Sequence, residues 1–193
     1  MDLNKIFLIT SGAFSNDEIT SDFGLLPTSF LPVGHRRLIE LQLELISDFN
    51  GMKFITLPED FVLTRRDKKL IENNEVEIHR TSPHISLSQS ILNFINNLNL
   101  DSSFSLYMLH GDTLFKDIDF EENIIYYGGT DSFYKWGDME DFNFKNNIEK
   151  TKNLKSVISG YFTFNNIPLL KKELINSTTF ELALKGYNNI IPF

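Results

Sequence analysis

The apolar residues follow two alternating patterns between Ile6 and Leu109. Residues 6–10 form a short continuous apolar run, which is typical of a strand buried on both faces, and the short runs at residues 54–57, 76–79 and 104–109 are predicted as further strands. Segments with helical character fall between these runs, at residues 36–49, 60–73 and 88–98. Strands that alternate with helices in this way run parallel and are joined by crossover helices, so the pattern predicts a doubly wound α/β sheet.

Residues 11–34 interrupt this alternation. Residues 16–22 include three acids, and we predict a loop there. Residues 23–34 are apolar but contain Pro27 and Pro32, so an extended segment packed on the body of the protein is favoured over a helix.

The pattern loses its regularity after Asp112. The predicted elements are strands at residues 123–127 and 155–164, a turn at Gly128 and Gly129, and helices at residues 167–175 and 179–185. No repeat, low-complexity tract or interdomain linker separates them from the preceding segments, and 193 residues is a usual length for one domain. We therefore predict a single domain over residues 1–193.

Residues 106–115, Leu-Tyr-Met-Leu-His-Gly-Asp-Thr-Leu-Phe, join the central strand to a tight corner at His110, Gly111 and Asp112. The corner places one carboxylate at the carboxyl end of a strand, where open α/β sheets bind ligands and metal ions. An ordinary Gly-Asp turn has the same sequence, because both residues are common in turns. In a functional site, Asp112 can hold Mg²⁺, which uses one or two protein carboxylates and takes water and phosphate oxygens in its remaining positions.

The composition argues against several classes of partner. The net charge is −8 and the isoelectric point is near 5.0, so a nucleic-acid backbone or an anionic membrane would repel the protein. No apolar run reaches the roughly 18 residues of a membrane span, and the N-terminus lacks the apolar region of a signal peptide. The chain has no cysteine, which excludes disulfides and thiolate chemistry. We expect a cytoplasmic protein that binds neither nucleic acid nor membranes.

Two short stretches are candidates for phosphate binding. Ser11 and Gly12 end the first strand where the backbone can approach a nucleotide closely, although neither a P-loop nor a dinucleotide fingerprint follows them. Arg36 and Arg37 are the nearest cations, and a surface pair at a helix N-terminus explains them as well as phosphate binding does.

Four stretches, taken in order, resemble the sugar-1-phosphate nucleotidylyltransferases, and the glucose-1-phosphate thymidylyltransferases in particular. The family's Ala-Gly, Pro-Lys-x-Leu-x-Pro-Val, Ser-Pro-x-Gly-Leu-Ala-Gln-Ala and Gly-Asp-Asn are similar to residues 11–12, 27–33, 82–90 and 111–113. Further along, its Tyr-Gly, Glu-Lys and Gly-Leu-Tyr-Phe-Tyr-Asp resemble residues 136–137, 149–150 and 160–165. The resemblance implies a Rossmann-like nucleotidyltransferase fold of the GT-A kind, with a mixed, mainly parallel central sheet and helices on both faces.

The resemblance also implies an activity. A nucleoside monophosphate would pass from a nucleoside triphosphate to a phosphorylated sugar or polyol with release of pyrophosphate, in the synthesis of surface-polysaccharide precursors. The implied cofactor is Mg²⁺, and the implied partners are a nucleoside triphosphate or nucleotide sugar and a phosphorylated small-molecule acceptor. The implied site residues are Asp112 as catalytic metal ligand; Ser11, Gly12, Gln89 and Gly111 at the nucleotide, with Gln89 reading the base; and Trp136, Gly137, Glu149, Lys150 and Gly160 at the substrate.

The matched positions lack the family's cations. Residues 13–18, Ala-Phe-Ser-Asn-Asp-Glu, replace its triphosphate-binding Gly-x-Gly-Thr-Arg-Leu loop, and Thr28 replaces the lysine after the first proline. Such charges contribute several kcal/mol to phosphoryl-type transfer, which is about 10²-fold or more in rate, and we expect Arg36 or Arg37 to substitute for them in catalysis. The family's Trp-x-Asp-x-Gly region, which carries a second metal aspartate, has no counterpart before Phe193. The chain is therefore either the N-terminal part of a longer protein or has an incomplete site.

Two other functions stay open. A catalytically degenerate nucleotidyltransferase-like module would bind or assemble without turnover, as a homo-oligomer or with a fused or associated second domain. A glycosyltransferase of the same architecture would normally show Asp-x-Asp after the central strand, and here only Asp117 and Asp119 fit, well past the strand end. We favour the enzyme, because the acceptor-side motifs at residues 136–137 and 149–150 are still recognisable.

Overall fold

The computed structural model describes residues 2–130, 155–187 and 191–192. The strands are β1 (Asp2–Thr10), β2 (Pro32–Val33), β3 (Arg36–Arg37), β4 (Gly51–Pro58), β5 (Val76–Thr81), β6 (Ser105–His110), β7 (Ile124–Thr130), β8 (Lys155–Phe164) and β9 (Ile191–Pro192). The helices are α1 (Asp17–Phe23), α2 (Leu38–Leu45), α3 (Arg65–Asn73), α4 (Leu87–Asn97), α5 (Ile167–Asn176) and α6 (Phe180–Gly186), with a 3₁₀ turn at Thr28–Phe30. The predicted substrate residues Trp136, Gly137, Glu149 and Lys150 lie outside the described residues.

The main sheet of the described chain has the strand order β5-β4-β1-β6-β8-β7-β9. β5, β4, β1 and β6 are parallel neighbours, as expected for strands joined by helical crossovers. β8 lies antiparallel between β6 and β7, and the short β9 runs parallel to β7. The sheet is therefore mixed and mainly parallel.

Helices cover both faces of this sheet. α4, α5 and α6 pack on one face, and α2 and α3 pack on the other. β1 contributes to both cores, because Ile6 and Leu8 point to the first face while Phe7 and Ile9 point to the second. This arrangement confirms the predicted fold class. Because the crossover helices change faces after β5, the sheet opens a crevice at the carboxyl ends of β1 and β6.

The loop predicted over residues 16–22 is wrong, because α1 occupies this segment. The side chain of Asn16 accepts a hydrogen bond from the backbone N–H of Ile19 at 3.0 Å and caps the helix. Asp17 and Glu18 lie in the first turn, where the helix dipole favours negative charge. Gly24, with φ of 79°, follows its last turn. The acids that suggested a loop are therefore part of a helix-start signal.

Two further predictions about local structure need correction. Gly128 and Gly129 do not form a turn, since both lie inside β7 and pair with Val157 and Ser156 of β8. The helix predicted from Arg36 begins at Leu38, because the two preceding arginines form β3, which pairs with β2 in a small hairpin. α2 also ends at Leu45, earlier than the predicted residue 49.

α3 likewise begins later than predicted. Thr64 caps it at the N-terminus, and the Thr64 backbone N–H donates a hydrogen bond to Asp67 Oδ2 at 2.9 Å. Within the described ranges, no helix has the length and hydropathy that a membrane span requires.

Candidate active site

A cleft with a volume of about 210 Å³ lies at the carboxyl ends of β1, β4, β5 and β6. Three predicted site residues, Gly12, Gly111 and Asp112, line it. The polar lining consists largely of hydroxyl groups, from Thr10, Thr28, Thr56, Ser82 and Ser90. The structure therefore brings together at the crevice of the sheet a carboxylate, two glycines and a set of uncharged hydrogen-bonding groups.

Asp112 occupies the corner that follows β6. The backbone N–H of Gly111 donates to the carbonyl oxygen of Thr10 at 2.9 Å, and that of Thr113 donates to the carbonyl oxygen of His110 at 3.1 Å. These bonds fasten the corner to the end of β1 and close its turn. The Asp112 carboxylate is exposed, and its Oδ1 accepts a hydrogen bond from the Thr113 hydroxyl at 3.3 Å.

The two cleft glycines are required because chain segments approach each other closely. A Cβ at Gly111 would lie 2.5 Å from Thr28 Oγ1 and 2.6 Å from the carbonyl oxygen of Thr10. A Cβ at Gly12 would overlap the side chain of Thr81 and lie 3.3 Å from Thr56 Oγ1. Packing within the protein is therefore sufficient to explain both glycines, and their predicted contacts with a nucleotide stay predictions.

Ser11 lies beneath the cleft. It is 1% exposed, its backbone N–H donates to Thr56 Oγ1 at 2.9 Å, and its hydroxyl oxygen accepts from the backbone N–H of Ser29 at 3.0 Å. These bonds join the end of β1 to β4 and to the 3₁₀ turn that carries Thr28. Ser11 thus supports residues that line the cleft, and its direct contact with a nucleotide stays a prediction.

Gln89 and Gly160 have structural roles beside the cleft. Gln89 is exposed in the first turn of α4, and its Oε1 accepts a hydrogen bond from the backbone N–H of Ser86 at 3.0 Å. It is not among the lining residues, whereas Ser90, the next residue along the helix, is. Gly160 has φ of +87°, and a Cβ there would lie 2.6 Å from Thr113 Oγ1. It lets β8 pass close to the corner at Asp112, and the nucleotide and substrate roles of both residues stay predictions.

Arg36 and Arg37 are paired with carboxylates outside the cleft. Arg36 donates to Glu44 Oε2 at 2.8 Å and to Oε1 at 2.6 Å, which lowers the pKa of Glu44. Arg37 pairs with Asp67, which is 2% exposed, and its guanidinium lies 5.6 Å from the centre of the Phe30 ring. Neither arginine lines the cleft. The geometry therefore gives no support to the expectation that one of them replaces the missing cations.

Arg37→Met should lower the free energy of unfolding by about 2 kcal/mol while leaving nucleotide affinity unchanged. Breaking a fully buried ion pair costs about 3–5 kcal/mol, and the cost here is smaller because the Arg37 side chain is 23% exposed and Asp67 keeps its bonds to Thr64. Urea denaturation measures the loss. Arg36→Met is the matched control, with an expected change of less than about 1 kcal/mol for an exposed pair. A loss of nucleotide affinity without a loss of stability in Arg37→Met would instead identify Arg37 as a phosphate ligand.

The charges around the cleft are few. Among the described residues that line it, none is Lys or Arg, and Asp112 is the only acid. Burial lowers the pKa of His110, and the attraction of the Asp112 carboxylate opposes only part of this effect, so the imidazole is neutral at pH 7. The described lining is therefore largely uncharged and rich in hydrogen-bonding groups, with one exposed carboxylate at its edge.

Mg²⁺ is compatible with this donor set. The described residues contain no group of three or more His, Cys, Asp or Glu side chains arranged to hold a metal ion. Mg²⁺, however, is commonly held by one or two carboxylates together with water and substrate phosphates. The exposed Asp112 carboxylate fits that mode of binding when a nucleotide supplies the remaining oxygens.

Sequence reasoning missed two buried residues that hold the Asp112 corner. The Ser29 hydroxyl donates to the carbonyl oxygen of Gly111 at 3.1 Å, and Gln42 in α2 contacts the same segment. The sequence contains a signal for Gln42, since this polar residue falls at helical spacing among Leu38, Ile39 and Ile46, where an apolar residue is expected. No pattern in the sequence distinguishes Ser29.

The chain has the Rossmann-like fold of the nucleotidyltransferases, as comparison with solved structures shows. A UDP-glucose pyrophosphorylase complexed with UDP-glucose superposes with a TM-score of 0.66 at 11% identity, over 99% of this chain and 90% of that one. The inositol-1-phosphate CTP transferase from T. maritima gives 0.63 at 13% identity, over 100% and 86%. The CTP:phosphocholine cytidylyltransferase from Streptococcus pneumoniae gives 0.60 at 16% identity, over 100% and 90%.

These identities are too low to show more than the fold. No protein-family model matches the chain, and no curated protein matches it by sequence. The narrower resemblance to glucose-1-phosphate thymidylyltransferases therefore remains a prediction. The structural neighbours are named for uridine and cytidine nucleotides, not for thymidine nucleotides.

Proposed function

We propose that the protein is a nucleotidyltransferase that passes a nucleoside monophosphate from a nucleoside triphosphate to a phosphorylated small molecule. The observation that supports this most directly is the position of Asp112. Its carboxylate lines a cleft at the switch point of the sheet, and Gly12 and Gly111 line the same cleft. Structural neighbours named as pyrophosphorylases and cytidylyltransferases agree with this choice of reaction.

The proposed reaction is one displacement at phosphorus. A phosphate oxygen of the acceptor forms a bond to the α-phosphorus, the bond from that phosphorus to the bridging oxygen of the β-phosphate breaks, and pyrophosphate leaves with the electron pair. Mg²⁺ bound with the nucleotide would neutralise developing phosphate charge, and Asp112 would hold the ion. The hydroxyl groups of Thr10 and Ser90 would bind the base and ribose.

The remaining assignments extend the same proposal. Ser11 and Gln89 would act near the nucleotide, and the sugar or polyol phosphate would bind beside Gly160. Trp136, Gly137, Glu149 and Lys150 complete the proposed acceptor site from outside the described residues, and Lys150 would supply a cation there. A sugar-phosphate acceptor would place the reaction in surface-polysaccharide precursor synthesis.

A thermal-shift screen tests the nucleotide site. ATP, CTP, GTP, UTP and dTTP are each added with Mg²⁺ and with EDTA, followed by an assay of pyrophosphate release with glucose 1-phosphate, inositol 1-phosphate and phosphocholine. A ligand at about 100 times its dissociation constant stabilises by about 2.7 kcal/mol, so the melting temperature should rise by about 5–10 °C for a domain of this size. No shift with any nucleotide would remove the nucleotide site from this protein.

A nucleotide-binding module without turnover is the second candidate. It is favoured by the absence of Lys and Arg from the described cleft lining and by the ion pairs that engage Arg36 and Arg37. The same screen separates the two functions. Mg²⁺-dependent binding with pyrophosphate release supports the enzyme, whereas binding with no release from any of the three acceptors supports the module.

A further inference from the structure

Gln42 makes an unusual set of contacts with the Asp112 corner. It is 0% exposed in α2, and its side-chain Nε2 lies 3.2 Å from the carbonyl oxygen of His110, 3.2 Å from that of Gly111 and 2.8 Å from that of Thr113. These three carbonyl groups surround Asp112 in the chain. One buried amide therefore contacts the backbone on both sides of the proposed metal ligand.

The orientation of this amide follows from its partners. All three neighbouring carbonyl oxygens are acceptors, so the donating nitrogen must face them. Gln42 Oε1 is buried and has no hydrogen-bond partner among the described residues, which is a cost that an apolar residue would avoid. Packing alone thus does not favour glutamine here, whereas donation to the corner does.

We infer that Gln42 is a positioning residue that fixes the Asp112 carboxylate for a Mg²⁺–nucleotide complex. This inference rests on the proposed function, in which Asp112 holds the ion. A site must keep its ligands within about 0.5 Å of their working positions, and that accuracy requires a supporting group whose own conformation is fixed by packing. Gln42 meets this requirement, because it lies in a helix and is enclosed between α2 and the corner.

Without Gln42, the corner would still be held by hydrogen bonds before Asp112 in the chain but would lose the one after it. Ser29 still donates to the carbonyl oxygen of Gly111, and Gly111 N–H still donates to that of Thr10. The Thr113 carbonyl oxygen, which has the shortest of the three bonds to Gln42, would lose this donor. The effect should therefore be a misplaced carboxylate rather than an unfolded loop.

Gln42→Met tests the inference, because methionine keeps the length of the side chain and removes the donor. The dissociation constant of each nucleoside triphosphate that raises the melting temperature in the screen is measured by calorimetry in EDTA and in Mg²⁺, and the ratio of the two values gives the enhancement by the ion. We expect Gln42→Met to reduce this enhancement by about tenfold and to leave affinity in EDTA within about twofold of wild type, since a small misplacement of a site group has a large effect. Hydrogen exchange at Asp112 and Thr113 should become faster.

Two controls separate the outcomes. Leu43→Ala destabilises the same helix but keeps the hydrogen bonds of Gln42 to the corner, so it should keep the wild-type enhancement. An equal loss of enhancement in Leu43→Ala would show that Gln42 acts only through the stability of the helix. Asp112→Asn should remove the enhancement altogether. If Asp112→Asn loses it and Gln42→Met does not, the positioning role is wrong while the proposed function stands. If Asp112→Asn keeps it, or if none of the five nucleoside triphosphates binds the wild type, the proposed site and this inference both fail.

Discussion

Asp112→Asn should abolish the dependence of nucleotide binding on Mg²⁺ and reduce pyrophosphate release by about 100-fold or more. Asparagine keeps the size of the side chain but loses the negative charge, and metal-assisted charge stabilisation in phosphoryl-type transfer is worth several kcal/mol. The effect should be large here because Asp112 is the only acid among the described residues that line the cleft. Calorimetry with and without Mg²⁺ measures the binding, and a coupled pyrophosphate assay measures the reaction.

Asp117→Asn is the matched control for this substitution. Asp117 lies on the same loop and is exposed, and it does not line the cleft. It changes the net charge by the same amount, so any general electrostatic effect on a triphosphate appears in both variants. We expect Asp117→Asn to behave like the wild type. A Mg²⁺ dependence that survives in Asp112→Asn would show that another group holds the ion.

The fold was largely predictable because the informative patterns are local. β1, β4 and β6 each contain a short, largely apolar run in the sequence, which is typical of a strand buried on both faces. The errors arose where the same residues allow two structures. Acids after Asn16 occur in loops and in first helical turns, and the cap bond to Ile19 decides between them. A pair of consecutive glycines is found both in turns and in strands, and the pairing of Gly128 with β8 shows that this pair lies in a strand.

The centre of the candidate site was predictable for a related reason. Residues that directly follow buried parallel strands meet at one edge of the sheet, which brings Gly12 and Asp112 to the same cleft. The supporting residues were harder to predict, because Gln42 reaches the corner from another element, and its partner Thr113 is 71 residues away in the chain. A contact between residues so far apart in the chain produces no repeating pattern in the sequence. The only indication of it is that Gln42 is a polar residue on an otherwise apolar face of its helix.

The arginines show the opposite case. Arg36 and Arg37 were candidates for phosphate binding because positive charge is scarce in this part of the chain. The sequence does not show, however, which carboxylates form ion pairs with them. Glu44 comes from the next helix, and the Asp67 carboxylate is held in place by the cap of α3. A cation already engaged in this way must break an ion pair before it can bind phosphate. Because of this cost, a Mg²⁺ ion held by Asp112 would be the main source of positive charge for the proposed reaction.

Gly111→Ala should lower the free energy of unfolding by about 3 kcal/mol or more and the melting temperature by about 6–12 °C. The new Cβ would lie 2.6 Å from the carbonyl oxygen of Thr10 and 2.9 Å from Cβ of Ser11. Thr10 is the last residue of β1 and the buried Ser11 follows it directly, so neither atom can move without disturbing the pairing of β1 with β4 and β6. Thermal and urea denaturation measure the loss, and nucleotide binding should fall with it because the corner carries Asp112.

Gly128→Ala is the control that isolates close approach from the general effect of replacing glycine. Gly128 lies in β7, and a Cβ there would meet nothing within 4 Å. Alanine restricts the unfolded chain more than glycine does, so this variant should be within about 1 kcal/mol of the wild type and can be slightly more stable. If both variants lost the same free energy of unfolding, the effect of Gly111→Ala would come from the backbone freedom of glycine. It would then not come from the close contact between the Asp112 corner and β1.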